Sequence, residues 1–170
     1  MPRYRTITTL GQDSHRFAKP GADTAKTDCL VLGGIHIQEA PPLAGNSDAD
    51  VMLHALTNAI SGYTGKIVLG GVADELCRQG VTDSAAYLKC ALADLPTDSR
   101  IVHVSFSIEG KRPKLKSYLE EIKANIGQLI HLPPQRVGIT ATTGEGLTAF
   151  GLGEGLQVLC LLTIEEICGE

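Results

Sequence analysis

A chain of 170 residues with 43% hydrophobic and 20% charged side chains can bury one sizeable core, which excludes an intrinsically disordered chain. Aromatics are only 4% and Trp is absent, so that core must be built from Leu, Ile, Val and Ala. The net charge of -4 argues against nucleic acid as the main partner, because phosphate backbones are bound by basic surfaces.

Residues 6–10, rich in β-branched side chains, predict a strand that runs into 12–15. Residues 18–28 read as a polar loop with Pro and Gly. The stretch CLVLGGIHI, 29–37, predicts two short strands around Gly33-Gly34, a hairpin signal, closed by Pro41-Pro42. Residues 46–62 predict the first helix, with Ser47 as its cap and Asp50 completing something close to a capping box. Residues 63–82 have room for a glycine-rich turn and one short helix. A second helix is predicted over 83–95, capped by Asp83 or Ser84, and RIVHVSFSI, 100–108, alternates as a strand does. Residues 115–130 predict a third helix, with Leu115, Leu119, Ile122, Ile126 and Leu129 on one stripe and Pro133-Pro134 beyond its end. A strand over 136–140 leads into ATTGEGLTAFGLGEG, and Val158 and Thr163 favour a strand over 156–164. Hairpin pieces and terminal strands among helices imply an α/β (α+β two-layer) fold, a mixed sheet packed on helices, in a single domain over 1–170.

The five cysteines, Cys29, Cys77, Cys90, Cys160 and Cys168, show no CxxC spacing. With an odd count and no apolar leader, reduced thiols in a cytoplasmic protein are expected. No run approaches the roughly 20 apolar residues of a membrane helix.

Three groups carry candidate chemistry. Asp13 and His15 are two apart on a strand and share a face, so they can hold a metal or bond to each other. His54, on the first helix, is either a third ligand in space or a packed core histidine. Asp, His and His with an open position would make a catalytic zinc set. Asp50, four residues before His54, is expected to accept the ring's other N–H from the outer side. In 141–146, ATTGEG, hydroxyls and backbone N–H groups can cradle phosphate, and Glu145 can ligate Mg²⁺; an ordinary turn has the same composition. In 109–114, EGKRPK, three cations before a helix suit an anion, or form a solvated basic turn.

Taken in order, these blocks resemble the 2-C-methyl-D-erythritol 2,4-cyclodiphosphate synthase family. They are DSH at 13–15, SDADVMLHAL at 47–56, RPKL at 112–115, ATTGEGL at 141–147 and GLGEG at 151–155. The resemblance implies a compact subunit of a homotrimer with active sites between subunits. It implies metal-dependent cyclisation of 4-CDP-2-C-methyl-D-erythritol 2-phosphate with release of CMP, in non-mevalonate isoprenoid biosynthesis. Asp13, His15 and His54 would hold Zn²⁺ or Mn²⁺, and Glu145 would hold Mg²⁺ on the phosphates. Thr143 would stabilise phosphoryl transfer. Thr142, Lys114 and Leu115, with Gly110 and Ser47, would bind the nucleotide and substrate phosphates.

The chain departs from the family pattern at Asn46, where the family has a His that helps hold the attacking phosphate. Asn58 replaces an Asp, Leu152 an Arg and Gly71 an Asp, and LGGVADELCRQG stands in place of the family's acidic substrate segment. Two other readings therefore stand beside the first: a related enzyme acting on another nucleotide-linked substrate, and a non-catalytic trimer that binds metal or ligand.

Overall fold

The computed structural model describes residues 3–21 and 26–168, so the polar loop expected over 18–28 lies partly outside the described residues. Its two longest strands pair with each other. β1 (Arg3–Arg16) runs antiparallel to β6 (Gly155–Cys168), from Arg3 opposite Cys168 to Arg16 opposite Gly155. β6 pairs antiparallel with β4 (Ser99–Glu109), which pairs in parallel with β5 (Val137–Thr142). The order β1-β6-β4-β5 makes the sheet mixed, as expected. A separate hairpin joins β2 (Leu30–Leu32) to β3 (Ile35–Ile37) through Gly33 and Gly34. Their φ values of 58 and 78° are the left-handed ones that glycine adopts without a Cβ penalty.

The helices are α1 (Val51–Thr64), α2 (Gly71–Arg78), α3 (Ser84–Ala93), α4 (Leu119–Leu129) and the single turn α5 (Ala149–Leu152). α1 begins later than its sequence suggests. Its N-cap is Asp50, not Ser47, and Asp50 accepts the N–H groups of Met52 and Leu53 at 3.0 and 3.1 Å. α4 likewise starts at Leu119, so Leu115 lies before it, though still buried.

α1 is buried over most of its circumference and lies against β1 and β6. Alternate residues of β6, from Leu156 through Val158, Cys160 and Leu162 to Ile164, face the helices and are buried. Val104, Phe106 and Ile108 of β4 complete that layer. Each such side chain contributes roughly 1.5–3 kcal/mol by leaving water. The opposite face of the sheet is different. Leu10 and Leu161, paired across β1 and β6, are 58% and 49% exposed, and Leu159 is 36% exposed.

One position sets the distance between layers. A Cβ on Gly11 would lie 1.9 Å from the Ala55 carbonyl oxygen and 2.4 Å from the Ala59 nitrogen, both in α1. Two hydrogen bonds flank this contact: Thr9 Oγ1 donates to the Ala59 carbonyl at 2.7 Å, and Asn58 Nδ2 to the Gln12 carbonyl at 3.0 Å. Backbone of helix and strand therefore touch at Gly11.

All five cysteines are free, and Cys29 and Cys160 are buried. Among the described residues no helix is long and apolar enough to cross a membrane.

Candidate metal centre

The two-residue period of β1 turns Asp13 and His15 to the same side as Gly11, toward α1. The close approach at Gly11 brings His54 of α1 against them. Asp13 Oδ2 lies 2.9 Å from His54 Nδ1 and 3.2 Å from His15 Nε2. One ligand-capable atom from each of the three side chains lies within 4.8 Å of the others.

The outward nitrogens of both rings are held. His15 Nδ1 donates to the Ala44 carbonyl at 2.7 Å, which leaves a lone pair on Nε2. His54 Nε2 sits 2.8 Å from Ser84 Oγ. Each partner can take the outward ring proton, so the nitrogen facing Asp13 donates to the carboxylate when it carries a proton and offers a lone pair to an ion when it does not. Burial pushes the Asp13 carboxyl up, but hydrogen bonds from His15 and His54 outweigh it and hold the carboxyl down at about 2. Burial lowers His15, and the Asp13 hydrogen bond and charge overcome that and leave it raised. An ionised carboxylate between two imidazole nitrogens draws positive charge to this point, from ring protons or from a metal ion that replaces them. This donor set fits a tetrahedral divalent ion with one position open to a ligand.

Asp50 does not orient His54, contrary to the spacing-based expectation. Its carboxylate accepts four backbone N–H groups: Gly33, Met52 and Leu53 on Oδ1, and Gly34 on Oδ2. It caps α1 and ties the β2–β3 turn to it. The partner of the His54 ring is Ser84, at the start of α3, which in turn donates to Asp48. Of the two caps the sequence offers for α3, Asp83 or Ser84, the structure uses Asp83, which accepts Ala85 N–H at 2.8 Å and leaves the Ser84 hydroxyl free for this role.

Ser47 is buried, its Oγ accepting Ala49 N–H at 3.1 Å and lying 3.5 Å from His54 Nε2. Asn46 is exposed and, with Ser47, lines a cleft of about 200 Å³ over the triad. The divergent segment folds as α2 and walls this cleft with Asp74 and Cys77. A larger, mostly apolar groove of about 790 Å³ between α3 and the end of α4 shares no lining residue with it, so volume alone does not locate the chemistry.

Glu145 and the two threonines stand apart from the triad. Thr142, Thr143 and Glu145 are exposed at the end of β5 and in the 3-10 turn Gly144–Gly146. Thr142 Oγ1 accepts Gly144 N–H at 3.1 Å and Thr143 Oγ1 accepts Glu145 N–H at 3.4 Å. Glu145 has φ 51°, a strained value for a side chain of its size and one that concentrates at functional turns. Gly110 N–H donates to the Thr142 carbonyl at 3.0 Å, joining the basic turn to this edge. Lys114 is exposed, whereas Leu115 is 7% exposed with its side chain in the core.

Comparison with known proteins adds the following. The sequence model of the YgbB family matches residues 6–165. The chain is 48% identical over 168 residues to the 2-C-methyl-D-erythritol 2,4-cyclodiphosphate synthase of Chlamydia trachomatis serovar L2b, covering 98% of this chain and 92% of that protein. It is 44% identical over 169 residues to the synthase of the same name from Chlamydia abortus, covering 99% and 94%. Among solved structures it resembles the bifunctional IspDF from Campylobacter jejuni (TM-score 0.83, 26% identity), covering 97% of this chain and 43% of that longer one. It also resembles a 2C-methyl-D-erythritol-2,4-cyclodiphosphate synthase in a CDP-bound form (TM-score 0.74, 25% identity), covering 92% and 98%.

Proposed function

This chain belongs to the YgbB family, and from that premise we propose how its residues carry out the family's reaction. The activity is that of a cyclodiphosphate synthase, a phosphorus–oxygen lyase of non-mevalonate isoprenoid biosynthesis. An oxygen of the 2-phosphate of 4-CDP-2-C-methyl-D-erythritol 2-phosphate forms a bond to the β-phosphorus. The bond from that phosphorus to the bridging oxygen breaks, and CMP leaves with the oxygen and its electron pair. The reaction is metal-dependent. Such a transfer is governed by positioning and charge neutralisation, so it calls for cations and donors more than for a strong base.

The observation that carries the reading is the convergence of Asp13 Oδ2, His15 Nε2 and His54 Nδ1, with both rings pinned from behind. Asp13, His15 and His54 would hold Zn²⁺ or Mn²⁺, which when bound would polarise the diphosphate. Asn46, exposed at the cleft, and Ser47, buried in its wall, donate to the attacking phosphate. Asn46 does so without the positive charge of a histidine. Thr142, Gly110, Lys114 and the backbone of Leu115 line the nucleotide, Thr143 donates to the oxygens of the transferring phosphorus, and Glu145 holds Mg²⁺. The single domain over 1–170 works in the cytoplasm as a homotrimer, each site combining the triad of one chain with the Thr142–Glu145 edge of a neighbour. A cleft of about 200 Å³ is smaller than the roughly 300–1,000 Å³ usual for a small-molecule site, which supports completion by a second chain.

The test is turnover together with metal content. The purified chain is expected to carry about one zinc, and to release CMP from the substrate with Mg²⁺ present, while His54→Ala loses both. Wild-type protein that holds zinc yet releases no CMP would overturn the substrate, and wild-type protein that takes up no zinc or manganese would overturn the site.

A further inference from the structure

To present Nδ1 to an ion, His54 must carry its ring proton on Nε2, and in a side chain this buried that proton needs an acceptor. Ser84 Oγ, 2.8 Å away and in a residue with no exposed surface, is in place for it. A hydroxyl has a single proton, and here it is already committed. Ser84 Oγ donates to Asp48 Oδ1 in a short contact, so toward His54 it can only accept. Asp48 is fixed in turn. Its Oδ2 accepts Ser84 N–H at 3.1 Å, its Oδ1 accepts Asp50 N–H at 3.3 Å, and its own N–H donates to the Thr82 carbonyl at 2.8 Å. Ser47 does not compete for the role, because its Oγ is 3.5 Å from the ring and already accepts Ala49 N–H.

We propose that Ser84, oriented by Asp48, is the positioning residue of the metal centre. The chain Asp48 to Ser84 to His54 fixes the tautomer and angle of the ring. The inference rests on the metal reading of Asp13, His15 and His54 given above. A merely structural role for the hydroxyl is the competing view, and the geometry separates the two. The start of α3 is held by Ser84 N–H on Asp48 and Ala85 N–H on Asp83, neither of which uses the Ser84 hydroxyl. Ser84→Ala therefore keeps the helix anchored through backbone N–H groups and removes the acceptor of His54 together with the hydroxyl's own bond to Asp48.

The experiment compares wild type, Ser84→Ala and Asp48→Asn by three readouts. These are zinc affinity in competition with a chromophoric chelator, the visible absorption of the Co²⁺-loaded protein, and the ring-nitrogen NMR signals of His54 in the apo protein. Ser84→Ala is expected to bind zinc about 10–100-fold more weakly, as losing an outer partner does, with a shifted Co²⁺ spectrum and no ordered Nε2–H signal. Asp48→Asn, which keeps an acceptor but not the charge, is expected to fall between it and wild type. If Ser84→Ala does not fold, Asp48→Asn alone carries the test. Zinc binding within about twofold of wild type in the folded variants, with an unchanged Co²⁺ spectrum, overturns the inference. Wild-type protein that binds no ion overturns the metal reading itself.

Discussion

Two aspartates two residues apart, Asp48 and Asp50, divide the labour at the start of α1. Asp50 is fully buried and satisfies four backbone N–H groups, two in its own helix and two in the β2–β3 turn. Burial pushes its carboxyl up to about 6, against the pull of the Gly34, Leu53 and Gly33 N–H bonds. Removing it costs the cap, about 1 kcal/mol, and leaves buried N–H groups without partners at about 1–3 kcal/mol each. Asp50→Ala is therefore expected to lose roughly 3 kcal/mol in urea unfolding. A loss under about 1 kcal/mol would mean that water or a shifted turn replaces the carboxylate. Asp48, by contrast, faces Ser84 and through it the proposed metal ligand His54, so its removal is expected to be read in metal affinity more than in stability.

At the level of elements, the site is a matter of how closely α1 sits on β1. Gly11 is where a side chain would strike helix backbone, and Thr9 and Asn58 bond across on either side of it. Gly11→Ala forces the two apart, at about 1–3 kcal/mol for an overpacked contact, and carries His54 away from Asp13 and His15. The expected outcome is a lower melting temperature together with zinc content well below wild type. Normal zinc with only a lower melting temperature would show that the triad tolerates the shift. Period-2 alternation is enough to place Asp13 and His15 on one face, and the interrupted apolar run of α1 is enough to single out His54. What the sequence does not disclose is how elements distant along the chain meet. Ser84 and Asp48 are 36 positions apart, and nothing local distinguishes a serine that caps its own helix from one that bonds a neighbour's histidine. Asp50 is misread for a related reason: a three-position ambiguity in the cap of α1 turns the cap into an apparent partner of the residue one turn later. The segment over 63–82 is legible only as a turn and a short helix, because its role as a cleft wall depends on α2 docking beside His54.

On the scale of the molecule, the sheet has one face filled by helices and one that presents Leu10, Leu159 and Leu161 to solvent. Adjacent exposed leucines on a sheet mark a surface that another chain covers, in keeping with the proposed homotrimer. A double Leu159→Asp, Leu161→Asp variant is expected to sediment as a single chain where wild type sediments as three, with CMP release lost alongside. A variant that remains trimeric would move the interface elsewhere. The strand order carries a further consequence. Among the described residues β1, which bears Asp13 and His15, has β6 as its sole neighbour in the sheet, and β6 begins only at Gly155. Synthesis runs from the N-terminus, so all three ligands leave the ribosome long before the strand that steadies two of them. A polypeptide stopped short of Gly155 would contain every ligand and no centre to hold an ion. On the proposed metal reading, capture of an ion would be deferred until translation has passed through β6, and a bound ion would certify that the polypeptide was made through that strand.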